Sequence, residues 1–457
     1  MAAGRSSSPR CCGIGVLQAI WRACGSIEAS RAGGSTMAFH IDEIADPKLY
    51  GDQDRLQSFY AWLRTKHPVA RAEPEGCRPF WVVSRHADIR EIERQPDIFN
   101  AGPRNTLMPE VVEQANIQFF GIEAGIQSLV MIDGERHQEL RGLTQSYFLP
   151  KNIRRLEGLI GDLARQFVAR FEGLGGRCDF GSDIAFWYPL RVAMTILGID
   201  EADEARMLQL THELFGSSDP AIIRSGMTQA EHLVAVHHDY VAFFDEITKD
   251  RQAKPREDVA TLIANGRPGD RDMTPAERMG YYIIVATAGH DTTAASIAGG
   301  LKALIDHPDQ MERLRADRSL LKPFANEAIR WTAPVKHFFR NVTEDYEARG
   351  TRFAKGDHVM LSYGAATRDE DAFAEADRFK LDRSVNNHLA FGYGPHMCLG
   401  QFLAKLEIEA FFDAMLDKLG SVALDGPTLY TETPFVSGIK SLPIRYALQG
   451  SRPGQES

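Results

Sequence analysis

Phe391-Gly392-Tyr393-Gly394-Pro395-His396-Met397-Cys398-Leu399-Gly400 is followed at once by the helical pattern QFLAKLEIEAFFDAMLDKL. Gly392, Gly394 and Gly400 allow a tight, irregular backbone around one sulfur, and Cys398 stands just before a helix N-terminus. Backbone N–H groups and the helix dipole at such a position favour a thiolate. Two other chemistries fail on the letters. A dinucleotide fingerprint needs glycine at 397, which is methionine, within a strand-to-helix unit. A zinc site needs further Cys or His at ligand spacing, and the nearest cysteine in the sequence is Cys178. What remains is a metal bound by one protein thiolate inside a larger cofactor.

Upstream lies an unusual helix. Thr274-Pro275-Ala276-Glu277 is a capping box with proline at the first helical position, and the pattern runs on to Asp306 before His307-Pro308 stops it. At 1.5 Å per residue this predicts one helix of roughly 48 Å. From Tyr281 to Leu301 its only carboxylate is Asp291, so it is apolar nearly all round and is expected to be buried. A buried carboxylate costs several kcal/mol unless it is paired or employed. Asp291 is followed by Thr292, whose hydroxyl can bond a carbonyl one turn back and loosen the helix. An acid beside an alcohol can relay protons, although a satisfied core Asp with ordinary helix threonines reads equally well from this segment alone.

Around these two segments the chain is mostly helical. The stretch 152–174 places Ile153, Leu156, Leu159, Ile160, Leu163, Phe167, Val168 and Phe171 on one stripe, the pattern of a helix with a buried face. The stretches 188–197, 230–247 and 399–419 also read as helices, and strand-like pieces at 80–83, 335–342, 358–361 and 442–446 are few and short. The expected fold class is mainly α with small β-sheets.

Composition removes several function classes. The chain has 457 residues, with 52 Lys+Arg against 62 Asp+Glu and a net charge of −10, so nothing global attracts nucleic acid. The six cysteines form no CxxC pair and no secreted disulfide framework, which fits a reducing, cytoplasmic compartment. The first 36 residues are basic, Ser-rich and nearly free of acids, and their apolar run is too short to span a bilayer. They read as a disordered leader or start-site extension ahead of Met37, with an export or transit signal as the alternative, and residues 37–457 read as a single domain.

Taken together, Phe-x-x-Gly-x-x-x-Cys-x-Gly and Ala-Gly-x-Asp-Thr-Thr make the chain resemble a cytochrome P450. Glu327-Ala328-Ile329-Arg330 matches the family's Glu-x-x-Arg, and Arg383 matches the arginine that completes its structural triad. His137-Gln138-Glu139-Leu140-Arg141 resembles the family's His-x-x-x-Arg helix, and Arg340 and His396 stand where propionate partners are usual. Gly134 replaces a common proline and Thr367 a frequent asparagine. Within the family the chain is most similar to bacterial soluble members that oxidise terpenoids, especially the terpineol-oxidising branch. The strings TAGHDTT, EAIRWTAPVKHFFRNV, AATRDEDAF and PFVSGIKSLPIRY carry that similarity.

The resemblance implies haem b seated between the long central helix and the cysteine loop. Cys398 would be the axial iron ligand, and His137, Arg141, Arg340, Phe391, His396 and Gly400 the residues around the cofactor. It implies insertion of one atom of O2 into a C–H bond of a small hydrophobic substrate, with Asp291 and Thr292 delivering protons. Ala288, Val335, Phe338, Phe339, Phe435 and Val436 are expected to line the substrate pocket, with help from the variable segment 100–129. Nothing in the sequence resembles a flavin or iron–sulfur module, so electrons from NAD(P)H are expected to arrive through a separate ferredoxin and reductase. That partner is expected to dock on a basic patch made by Arg136, Arg141 and Lys405. A monomer is expected, with no membrane span and no nucleic acid. A haem-thiolate peroxygenase and a haem-based gas sensor remain the alternatives.

Overall fold

The computed structural model describes residues 39–123, 125–217 and 222–450. Residues 1–36, read above as a leader, lie outside them. From His40 onward the described residues pack as one unit. Helices dominate. Those that build the site are α1 (Glu110–Phe120), α2 (Gly134–Gln145), α3 (Glu204–Phe215), α4 (Gln229–Ala253), α5 (Pro275–Ala288), α6 (Asp291–Asp306), α7 (Leu321–Thr332) and α8 (Gln401–Leu416). A five-stranded sheet has the order Val69–Ala72, Phe80–Val83, His358–Ser362, His337–Val342, Phe99–Asn100. Only the pairing of Phe80–Val83 with His358–Ser362 is parallel.

The predicted elements form with shifted ends. The 152–174 stripe divides into Pro150–Ile153, a 3-10 turn Arg154–Leu156, and the helix Glu157–Glu172, whose Ile160, Leu163, Ala164, Phe167, Val168 and Phe171 are buried. The C-terminal helix stops at Leu416, because Leu419 already belongs to the strand Leu419–Leu424.

The long helix differs from the single rod read in the sequence. The capping box forms as expected, with Thr274 accepting from the Glu277 N–H, but Gly289 and His290 interrupt the helix between α5 and α6. Side chains take the carbonyls that a continuous ladder would use. The His290 ring donates from Nδ1 to the Ala286 carbonyl at 2.9 Å, and Thr292 Oγ1 donates to the Ala288 carbonyl at 2.8 Å. Beyond the break α6 is buried almost all round. A Cβ on Gly299 would come within 2.0 Å of Thr332, so glycine is what lets α6 lie against α7. Among the described residues no helix is long and apolar enough to cross a membrane.

Arg136 does not contribute to a free basic patch. Its guanidinium donates to both Glu277 oxygens at 2.7 and 2.8 Å, to Glu139 and to the Pro268 carbonyl. The Arg136 and Glu277 side chains are only 12% and 7% exposed, so the pair ties α2 to the first turn of α5 with little solvent screening. The bond from Arg136 holds the Glu277 carboxyl down at about 2. A depressed folded-state pKa stabilises the fold above the unfolded value near 4.5 and ceases to do so as pH falls toward 2. Arg136→Met is expected to cost about 2 kcal/mol at neutral pH and to flatten the loss of stability between pH 4.5 and 2. Denaturant titrations across that window check both.

Candidate functional site

A cavity of about 430 Å³ lies between the α5–α6 break, the cysteine loop and the segment 105–131. Ala288 and Thr292 face it from one side and Phe391, His396, Cys398 and Gly400 from another. His137, Arg141, Arg340, Val335, Phe338, Phe435 and Val436 are the other predicted residues on its wall.

The loop before α8 is built around the sulfur. The Cys398 N–H donates to the Phe391 carbonyl at 2.8 Å, which closes the loop on itself. Gly392 and Gly394 have φ of +68° and +69°, and a Cβ at 394 would stand 2.3 Å from the Glu93 carbonyl, so both need glycine. Gly400 does not: its φ is −86° and it caps α8 with open space around the missing Cβ. Burial pushes the free Cys398 thiol up, while the Gly400 and Gln401 amides and the Arg141 and Lys405 charges draw it back down. The helix N-terminus therefore acts on the sulfur as the sequence suggests, against a stronger desolvation.

Cationic and imidazole groups gather on one part of the same wall. Arg141 donates to the Met397 carbonyl at 2.7 Å, and Lys405 Nζ lies 5.3 Å from the centre of the Phe391 ring. His396 bonds Asp133 at 3.0 Å, and its ring lies 4.2 Å from that of His137. The Asp133 carboxylate also accepts the Ala101 and Gly102 N–H groups. His137 is buried with no partner for Nε2, and burial together with the nearby His396 and Arg141 pulls it down to about 4. Arg340 is already paired. It donates to Glu93 Oε1 at 2.8 Å, and the Tyr363 hydroxyl donates to the same oxygen at 2.6 Å. Sequence reading missed Glu93, which no motif marks, and Glu407 of α8, a buried cavity-lining carboxyl that desolvation pushes well up.

One thiol, the Arg141 and Arg340 guanidiniums and two imidazoles on one cavity wall, with no hydrogen bond to His137 Nε2 among the described residues, suit a planar iron cofactor that carries carboxylates. The residues present fit haem.

Asp291 and Thr292 part ways at the helix break. Thr292 faces the cavity, whereas Asp291 lies behind it with Oδ1 3.1 Å from His290 Nε2 and 3.9 Å from His212 Nε2. Glu327, Arg330 and Arg383 come together away from the cavity. Arg330 grips Glu327 through two bonds of 2.7 Å, both side chains are fully buried, and Arg383 donates to the same carboxylate at 3.1 Å.

Phe339 is not part of the pocket. Successive residues of the strand His337–Val342 face opposite ways, so Phe338 turns to the cavity and Phe339 to the sheet's other side. There Phe339 meets Phe80 edge-on at 5.1 Å and takes the Arg104 guanidinium 4.7 Å from its ring centre. His337 pins two stretches of the cavity wall instead. Its Nδ1 donates to the Pro434 carbonyl at 2.8 Å, which leaves Nε2 to accept the Leu107 N–H at 3.0 Å. Burial holds it down at about 4, so it stays neutral in this role. The variable segment 100–129 lines the cavity as expected, and it carries a helix, α1, whose Val112, Asn116 and Phe120 reach the wall.

The Cytochrome P450 family model matches residues 48–421. Cytochrome P450-terp of a Pseudomonas species is 39% identical over 421 residues, covering 90% of this chain and 98% of that protein. Linalool 8-monooxygenase of Pseudomonas putida is 28% identical, covering 88% and 98%. Among solved structures, CYP108D1 from Novosphingobium aromaticivorans superposes with a TM-score of 0.82 at 38% identity, covering 89% and 97%. A thiol-centred cavity that suits haem thus coincides with a family match along most of the sequence, and the chain belongs to the cytochrome P450 family as a monooxygenase with a haem-iron cofactor.

Proposed function

We propose that the protein inserts one atom of O2 into a C–H bond of a small cyclic hydrophobic compound, a terpenoid or an alkyl-substituted aromatic hydrocarbon. The observation that carries this reading is the cavity itself. Cys398 and Thr292 line it together, and Ala288, Val335, Phe338, Phe435 and Val436 give it an apolar wall. Bound haem b supplies the reductive activation of dioxygen. Cys398 holds its iron, and His137, Arg141, Arg340 and His396 pair with its carboxylates. Thr292 presents a hydroxyl to the reaction space, and Asp291 behind it passes protons toward that hydroxyl. Glu327, Arg330 and Arg383 fix the framework behind the cysteine loop.

In this reading residues 37–457 work as a single monomeric domain in the cytoplasm, and NAD(P)H acts through a separate ferredoxin and its reductase. Arg141 and Lys405 stand beside the cysteine loop, where an acidic electron carrier would approach. The named relatives cytochrome P450-terp and linalool 8-monooxygenase support the terpenoid class.

Apolar burial supplies the affinity. A ring compound of aromatic size hides roughly 200 Å² and gains about 5 kcal/mol before the costs of binding. Cyclic terpenoids and alkyl-aromatics are expected to displace water from the ferric iron and shift it toward high spin, with long-chain fatty acids weak. Optical titration of the holoenzyme tests this. A screen in which fatty acids or bulky steroids give the largest shift, with small rings silent, overturns the substrate class.

A further inference from the structure

His290 sits in the break between α5 and α6 with none of its side chain exposed. Its Nδ1 faces the Ala286 carbonyl at 2.9 Å, and a carbonyl only accepts, so Nδ1 carries a hydrogen. In the neutral ring the lone pair then lies on Nε2. That atom is 3.1 Å from Asp291 Oδ1, short of the alignment of a full hydrogen bond, and among the described residues neither atom has a hydrogen bond. In that tautomer Nε2 is the negative end of the ring, and 3.1 Å from a carboxylate oxygen it is repelled. A proton between them makes the contact attractive and charge-assisted.

A second imidazole reaches the same oxygen from another helix. His212 of α3 places Nε2 3.9 Å from Asp291 Oδ1, and its side chain remains 26% exposed. Burial alone would raise Asp291, but His290 and then His212 hold it below the ordinary carboxylate range. Burial pulls His212 down, with Asp291 acting the other way and His290 adding to the pull. The remaining ionisable neighbours are engaged elsewhere. Tyr240 of α4 shares a hydrogen bond with Thr211, and Glu213 is paired with Arg224.

We propose that His290 holds a proton on Nε2 against the Asp291 carboxylate, next to Thr292, and that His212 replaces it from solvent. Both histidines are then positioning residues for the proton supply, an inference that rests on the reading of Asp291 and Thr292 as the proton path. The transfers balance without any oxidant or reductant. The proton on His290 Nε2 crosses to Asp291 and onward to the Thr292 side; His212 takes a proton from solvent hydronium on its free nitrogen, gives its Nε2 proton to the vacated pair and returns to the neutral ring. Only N–H and O–H bonds are exchanged.

The test uses the full-length holoenzyme in its diamagnetic ferrous carbonyl form, with nitrogen-labelled histidine followed by NMR. The wild type is expected to show one buried ring with hydrogen on both nitrogens under the conditions of turnover. In Asp291→Asn that ring is expected to fall back to the form with hydrogen on Nδ1 alone. A wild-type His290 that carries only the Nδ1 hydrogen, unmoved by Asp291→Asn, overturns the proposal.

A second arm measures product formed per NADH, its pH profile and its solvent deuterium isotope effect, using redox partners of the ferredoxin type. His212→Gln is expected to slow coupled turnover several-fold and raise the isotope effect, with the carbonyl spectrum and substrate spin shift unchanged. Wild-type rate, pH profile and isotope effect in His212→Gln overturn its role even if Asp291→Asn and Thr292→Ala divert NADH into peroxide. If those last two variants stay fully coupled, the proton-path reading itself fails.

Discussion

Cys398→Ser is expected to abolish monooxygenation and to remove the thiolate-type Soret band of the reduced carbonyl complex. The substitution is small in volume, and the loop that holds the residue does not depend on the sulfur. The Cys398 N–H bond to the Phe391 carbonyl and the left-handed Gly392 and Gly394 persist with serine in place. What changes is the ligand. An oxygen donor pushes less charge onto iron than a thiolate, and that push is what favours O–O cleavage. Absorption spectra of the carbonyl complex and product assays check the two halves separately. Cys77→Ser is the control, since Cys77 is not among the cavity-lining residues and its replacement is expected to leave the band in place. Survival of the band in Cys398→Ser would remove the basis for the site.

The largest loss of stability is expected from Arg330→Ala. Arg330 holds Glu327 through two bonds and donates in addition to the carbonyls of Thr367, Ala376 and Arg378. Glu327 also accepts from Arg383, the Lys380 N–H and Asn386, so both charges are fully satisfied with no exposure. Removing Arg330 leaves the buried Glu327 carboxylate with Arg383 as its remaining cationic partner and strips three carbonyls of a donor, which together cost about 3–5 kcal/mol, a large part of the ~5–15 kcal/mol that a domain has. The variant is expected to lose haem and to unfold at much lower denaturant. Arg330→Lys is expected to rescue little, because an ammonium cannot match a two-pronged grip and three carbonyls at once. Denaturant midpoints and haem content decide it, and a near wild-type midpoint for Arg330→Ala contradicts the reading of the cluster.

Features set by local chemistry were legible in the letters. Glycine at a left-handed position, a capping box at Thr274 and an alternating strand leave marks that neighbours in sequence suffice to read. The cysteine loop and the placement of Thr292 on the cavity side of the central helix belong to this class. Where distant residues decide, the letters were silent. The loosening by Thr292 was legible one turn back, but the full break was not, because it also needs the final orientation of the His290 ring on the Ala286 carbonyl. Arg136 was misread as a free cation because its partner Glu277 lies on another helix. Phe338 and Phe339 are neighbours of equal hydrophobicity, and only the strand's register decides which one faces the cavity. Arg340 was legible as a cation on the site, but not its pairing with Glu93, which comes from another element and also accepts from Tyr363.

The most direct measurement is the source of the oxygen in the product. Holoenzyme, a ferredoxin, its reductase and NADH are combined with a cyclic terpenoid that shifts the spin state, under isotopically labelled dioxygen in ordinary water. The predicted result is one labelled oxygen atom in the hydroxylated product, with no product when ferredoxin or NADH is omitted. Unlabelled product, or full activity with peroxide and none with dioxygen and the redox partners, would contradict the assignment of this protein as a dioxygen-dependent monooxygenase.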